Sequence, residues 1–239
     1  MKKCIPNLLT SLNLFSGCVA TVMAFQGEFF LVVVWVIIAA LFDFSDGFSA
    51  RMLKVYSKIG KELDSLADMV SFGLAPSVAV YHLLTLKTVI ITQNSFVIEY
   101  LPYMAFLLAV FSALRLAKFN VDERQTDSFI GLNTPANALF WVSFCCGLMT
   151  DERVVFTAGL VYTILVGIVV FSALMVAEIP MFSLKIKSLK PKGNEQRYFL
   201  VLFVIALVAF LGVLGISGGI LMYIALSIMG SRQKSGNKA

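Results

Sequence analysis

Residues 29–68 read FFLVVVWVIIAALFDFSDGFSARMLKVYSKIGKELDSLAD. The run Phe29–Phe42 carries no charge, and it ends on Asp43 and Asp46. Two further aspartates, Asp64 and Asp68, open the next apolar run. An aspartate at the centre of a membrane helix costs roughly 2.5–3.5 kcal/mol on the insertion scale, and less near an interface, so such residues face a polar cavity or a partner. Here the spacing supplies the partner. Asp43 and Asp46 are i, i+3 and Asp64 and Asp68 are i, i+4, so each pair lies on one helix face. Two antiparallel helices joined by a short loop then present four carboxylates to one point. Bare anions at such range repel, and a bound cation or a proton must relieve them. With oxygen ligands and no His or Cys nearby, a hard cation (Mg²⁺, Mn²⁺ or Ca²⁺) suits the set better than zinc. The simpler alternative is an interfacial charge belt with Arg51, Lys54, Lys58 and Lys61. Gly47 and Gly60, which allow close approach of backbone or ligand, and Arg51, whose planar fork suits a phosphate, weigh against it.

Lipid is the solvent for the rest of the chain. Of the 239 residues 59% are hydrophobic and 14% charged, against soluble averages of about 45–50% and about 25%. Apolar runs that approach the roughly 20 residues of a membrane helix recur near 6–25, 29–50, 60–84, 98–118, 134–150, 154–178, 197–213 and 216–230. The sequence therefore predicts an all-α polytopic helix bundle of about eight transmembrane helices. The last two spans are separated by glycines at 212, 215, 218 and 219, read as a turn because one unbroken helix would overshoot the bilayer. With eight spans and the amino terminus inside, 17 of the 19 basic residues fall on the cytoplasmic side, leaving Lys87 and Arg153 outside. That is the positive-inside pattern. It places both termini and the acidic cluster at the cytoplasmic face of the inner membrane. The net charge of +5 is accounted for by these loop clusters, which excludes nucleic acid as the expected partner. Met1-Lys2-Lys3 begins a retained first helix rather than a cleaved leader, since Asn7, Asn13 and Gly17 interrupt the apolar run. Cys4, Cys18, Cys145 and Cys146 lack zinc-type spacing and read as small hydrophobes; His82 has no matching ligand.

The full string Asp43-x2-Asp46-Gly47-x2-Ala50-Arg51-x8-Gly60-x3-Asp64-x3-Asp68 fixes eight residues over 26 positions, and it resembles the signature of the CDP-alcohol phosphotransferase family at every fixed position. The resemblance covers roughly residues 5–180. It implies a six-helix core in which Asp43, Asp46, Asp64 and Asp68 bind two divalent cations, Mg²⁺ or Mn²⁺, that hold the pyrophosphate of a CDP-linked lipid. Asp68 is the implied base for the acceptor hydroxyl. Asp46, Gly47, Ala50, Arg51, Gly60 and Asn13 are the implied CDP/CMP-binding residues, and a homodimer is implied as well. The implied organisation is a catalytic core over 1–180, a basic cytoplasmic loop over 181–196, two additional helices over 197–230 and a tail over 231–239.

Within the family, residues 63–76 (LDSLADMVSFGLAP), 113–121 (ALRLAKFNV) and 129–132 (FIGL) look like the branch whose acceptor is L-serine and whose lipid donor is CDP-diacylglycerol. Two positions depart from that branch, with Lys118 where Arg is expected and Asn133 where Pro is expected. A serine carboxylate needs a cation or several donors, and Arg115 and Asn120 are the candidates. The alternatives are a sister enzyme using glycerol 3-phosphate or inositol phosphate, and a cation transporter.

Overall fold

The computed structural model describes residues 4–55, 57–90, 93–121, 129–181 and 195–236. The expected basic loop and the last residues of the tail lie largely outside these, as do Lys2, Lys3 and Arg124. Eight helical passes are present where the apolar runs predict them. Helices α1 (Cys4–Gln26) and α2 (Phe29–Leu53) form a hairpin. A third pass joins α3 (Lys58–Asp68), a π-helical turn (Met69–Leu74) and α4 (Ala75–Lys87); a fourth joins α5 (Ser95–Tyr100), a 3₁₀ turn and α6 (Leu107–Val121). There follow α7 (Thr134–Thr150), α8 (Ala158–Val176), α9 (Glu195–Leu211) and α10 (Leu214–Gly236). Five of the passes are long and apolar enough to cross a bilayer.

Helix α7, with 17 residues, forms the axis of the bundle. It packs on α2, α4 and α10, and its rings build the aromatic core: Phe140 stacks on Phe171 at 4.1 Å, and Trp141 meets Phe171 edge-on at 5.6 Å. Asn133 caps this helix, its Oδ1 accepting from the Ala136 N–H at 2.9 Å. The departure from the expected proline thus has a physical role, because an N-cap amide satisfies one of the orphan donors of the first turn. Just before it, where no strand is predicted, β1 (Phe129–Ile130) pairs antiparallel with β2 (Pro180–Met181). The Gly131 and Leu132 N–H groups donate to the Ile179 and Leu174 carbonyls at 2.9 and 3.0 Å. This clamp fixes the start of α7 against the end of α8.

The expected glycine turn resolves into two roles. Gly212, with φ of 58°, makes the turn between α9 and α10. Gly215 and Gly219 lie inside α10, where a Cβ would strike the Leu207 carbonyl carbon and the Val204 side chain; small residues let the two backbones close up. Helix α10 also docks on α7 through the Ser143–Ser217 hydroxyl pair at 2.7 Å.

The two ends of the bundle carry different charge. Lys87 lies over the Phe156 ring at 4.3 Å, which puts it at the same end as the loop where Arg153 holds Asp151 through Nε and Nη2 at 2.9 and 2.8 Å. The Asp151 carboxyl is drawn down to about 2 by those hydrogen bonds. At the other end Lys61 donates to the Asn120 carbonyl at 2.8 Å and Lys118 to the Val176 carbonyl at 3.4 Å. Cys4 and Cys18 are exposed and Cys145 and Cys146 buried, all as free thiols. His82 packs against the Phe29 ring at 5.8 Å.

A carboxylate cluster beside an arginine-lined cavity

The α2–α3 corner is built by local sequence. Lys54 ends α2 in the left-handed region at φ 52°, and Ser57 starts α3 with its Oγ accepting from the Gly60 N–H at 3.3 Å. The reversal brings Asp43, Asp64 and Asp68 together, each offering an oxygen within 4.8 Å of the others. Asp64 Oδ1 is buried without a hydrogen-bond partner among the described residues. None of the four aspartates forms a salt bridge with a described Lys or Arg; Arg51 acts on Asp46 only at Coulombic range, so the charge-belt alternative has no ion pair to support it. Three hard oxygen donors gathered this way, one with its lone pairs free, fit a divalent cation.

Asp46 stands apart from the triad. Its Oδ2 accepts from the Thr10 hydroxyl at 2.5 Å, and it lines a cavity of about 530 Å³ together with Asn7, Gly47, Ala50, Arg51, Gly60 and Asp64. Arg51 folds back over Gly47, where a Cβ would sit in ordinary contact with Arg51 Nη1, at 3.4 Å. Of the residues assigned to the nucleotide, all but Asn13 line this cavity. Asn13 instead lies behind Asp68, donating from Nδ2 to Oδ1 at 3.1 Å. Thr10 is a site residue that the acidic string does not contain. Its signal was the polar stripe Asn7, Thr10, Asn13 on an otherwise apolar helix, three residues apart and so on one face.

The packing that aims Asn13 is close. Ser71, in the π-helical turn directly after Asp68, donates to the Asn13 carbonyl at 3.0 Å. A π-turn is a frequent device at functional sites, and here it brings α1 and the Asp68 carboxylate into contact.

The two acceptor candidates have different surroundings. Arg115 is 7% exposed and lies within Coulombic reach of Asp68. Asn120 is engaged through side chain and backbone: its Nδ2 donates to Ser65 Oγ at 2.8 Å, and its backbone carbonyl accepts from Lys61 Nζ at 2.8 Å. It joins the end of α6 to α3 one residue from Asp64.

The architecture is thus a polytopic membrane bundle with a cation-ready carboxylate triad opening beside a cavity that carries an arginine. The sequence profile of CDP-alcohol phosphatidyltransferases matches residues 3–176, and the chain belongs to that family. Over 207 residues it is 34% identical to CDP-diacylglycerol–serine O-phosphatidyltransferase of Helicobacter pylori (strain J99), covering 85% of this chain and 80% of that one. It is 33% identical over 135 residues to the Bacillus subtilis (strain 168) protein of the same name, covering 55% and 69%. An archaetidylserine synthase of Methanothermobacter thermautotrophicus is 30% identical over 144 residues, covering 59% and 57%.

Proposed function

We propose that this membrane enzyme transfers the phosphatidyl group of CDP-diacylglycerol to the hydroxyl of L-serine, releasing phosphatidylserine and CMP. The observation that carries the reading is the convergence of Asp43, Asp64 and Asp68, with Asp64 also lining the cavity formed by Asp46, Gly47, Ala50 and Arg51. Serine as the acceptor is supported by the names of its relatives. In the net reaction the serine oxygen forms a bond to the lipid-linked phosphorus, the bond from that phosphorus to the CMP oxygen breaks, and the hydroxyl proton passes to Asp68.

Asp43, Asp46, Asp64 and Asp68 would hold two divalent cations, Mg²⁺ or Mn²⁺. When bound, these would neutralise the pyrophosphate and stabilise the departing CMP. Arg51, exposed on the cavity wall, offers its fork to a phosphate. Thr10 fixes the Asp46 carboxylate, and Asn13 turns the Asp68 carboxylate toward the acceptor side. Arg115 faces the serine carboxylate, with Asn120 at the rim. The active site opens at the cytoplasmic side of the inner membrane, and the enzyme works as a homodimer.

Purified protein supplied with CDP-diacylglycerol and a panel of acceptors tests this. CMP release is expected with L-serine and is expected to stop on addition of chelator. Release with glycerol 3-phosphate or inositol phosphate but not with serine would move the acceptor assignment to a sister reaction. Metal flux in liposomes without CDP-lipid would point to a transporter. Thr10→Val keeps the shape but removes the donor to a buried carboxylate. A hydrogen bond to a charged group is worth about 1.5–3 kcal/mol, so the KM for CDP-diacylglycerol is expected to rise about tenfold, with little change in the KM for serine.

A further inference from the structure

Four buried polar side chains outside the aspartate site lie at one depth in the bundle. The Leu132 N–H donates to the Leu174 carbonyl at 3.0 Å, and Lys118 Nζ donates to the Val176 carbonyl at 3.4 Å. The first, backbone to backbone, sets the start of α7 level with the end of α8, and the second brings the Lys118 side chain from α6 to the same end. Arg115, Thr134, Asn137 and Ser172 all fall within about a turn and a half of those anchors, at a rise of about 1.5 Å per residue. Helix α10 reaches the same layer. Its Ser217 meets Ser143 and the helix runs antiparallel to α7, so Tyr223, six residues on, is level with Asn137. Consistent with this, Arg115 lies within Coulombic reach of both Tyr223 and Asp68.

Thr134 and Asn137 are fully buried. Thr134 Oγ1, both amide atoms of Asn137, Arg115 Nε and Ser172 Oγ have no hydrogen-bond partner among the described residues. Buried polar atoms are ordinarily satisfied, and one left unpaired destabilises the fold. Several unpaired in one layer, beside an arginine within Coulombic reach of the proposed base, mark a place for a small polar molecule. The donor and acceptor types say which. Arg115, the Thr134 hydroxyl and the Asn137 Nδ2 donate, as a carboxylate requires. The Asn137 Oδ1 accepts, as an ammonium requires.

We infer that Thr134 and Asn137, together with Arg115, bind the α-carboxylate and α-ammonium of the amino-acid acceptor and so determine acceptor selectivity. The inference rests on the serine reading above. It places the amino-acid end of the acceptor on α6 and α7, with its hydroxyl directed to Asp68.

The test is CMP release by the purified full-length protein at saturating CDP-diacylglycerol with L-serine varied. Wild-type protein that releases no CMP with serine would sink the serine reading before any variant is compared, so the two failures are distinguishable. With wild type active, Asn137→Ala is expected to raise the KM for serine about tenfold or more, as loss of a buried hydrogen bond to a charged group does. The KM for CDP-diacylglycerol is expected to stay within about twofold, which a general loss of packing would not produce. Thr134→Val, close in shape, should move the serine KM the same way, and Thr134→Ser should restore it. Should Asn137→Ala not fold, the Thr134 pair decides alone. An unchanged serine KM in Thr134→Val, or equal rises for both substrates, overturns the assignment.

Discussion

Asp68→Asn is expected to lower serine-dependent CMP release by about 10³-fold or more, with the protein folded and extractable as wild type. The substitution keeps the shape of a side chain that is 9% exposed and packed under Asn13. What it removes is one negative charge of the triad and the atom proposed to take the acceptor proton. General-base catalysis alone contributes about 10²–10⁴-fold, and weakening of a cation site adds to that. Asn13→Ala provides the graded comparison. Asn13 reaches the chemistry through its bond to Asp68 Oδ1 at 3.1 Å, and loss of such an orienting partner costs about 10–100-fold. The two variants should therefore differ in size of effect, with Asn13→Ala retaining measurable turnover. Initial rates in detergent at saturating substrates provide the check. Asp68→Asn retaining a tenth of wild-type rate would remove Asp68 from the base role, and Asn13→Ala falling as far as Asp68→Asn would mean that Asn13 touches substrate itself.

Much of this architecture is legible in the sequence because lipid imposes few choices. A run such as Phe29–Phe42 has to be helical and membrane-embedded, and the i, i+3 and i, i+4 spacings of the aspartates fix which face they share. Periodicity does not show how far two faces overlap. The four carboxylates were expected at one point; three meet, while Asp46 is drawn toward Thr10 across the α1–α2 hairpin. The π-turn at Met69–Leu74 was invisible because its residues read as an ordinary apolar helix, and its widening depends on contact with α1. The Asn120–Ser65 bond joins residues 55 apart, a distance that no local pattern carries. Gly215 and Gly219 read as a turn by composition, but the structure uses them for close helix packing. Thr134 and Asn137 carry no distinct signal in the sequence, because a polar residue near the start of a helix ordinarily has a capping role. That role belongs to Asn133, which leaves the other two without a partner among the described residues.

Gly17→Val is expected to have the second large effect, this time on the fold. A Cβ at Gly17 would lie 2.7 Å from the Ser71 Cα and 2.9 Å from its Cβ. The obstacle is backbone, so no rotamer change can relieve it, and α1 has to move off the π-turn. Overpacking in a close-packed interior costs about 1–3 kcal/mol, and more where backbone must shift. In membrane bundles such small-residue contacts are a main source of helix association. The midpoint of thermal aggregation in detergent should fall sharply, with a smaller monodisperse fraction on purification. The same displacement pulls Asn13 away from Asp68, since the Asn13 carbonyl is bonded to Ser71 only four residues before Gly17. Activity per folded molecule should therefore fall about as far as it does in Asn13→Ala, by about 10–100-fold. Gly230→Ala is the matched control: nothing stands within 4 Å of a Cβ there, and replacing a helical glycine that meets no neighbour stabilises by about 0.5–1 kcal/mol. A Gly17→Val protein as stable as wild type would show that α1 can slide over the π-turn. If that stable protein also kept full activity, Asp68 would not depend on α1 for its orientation, and the catalytic carboxylate would be positioned by α3 alone.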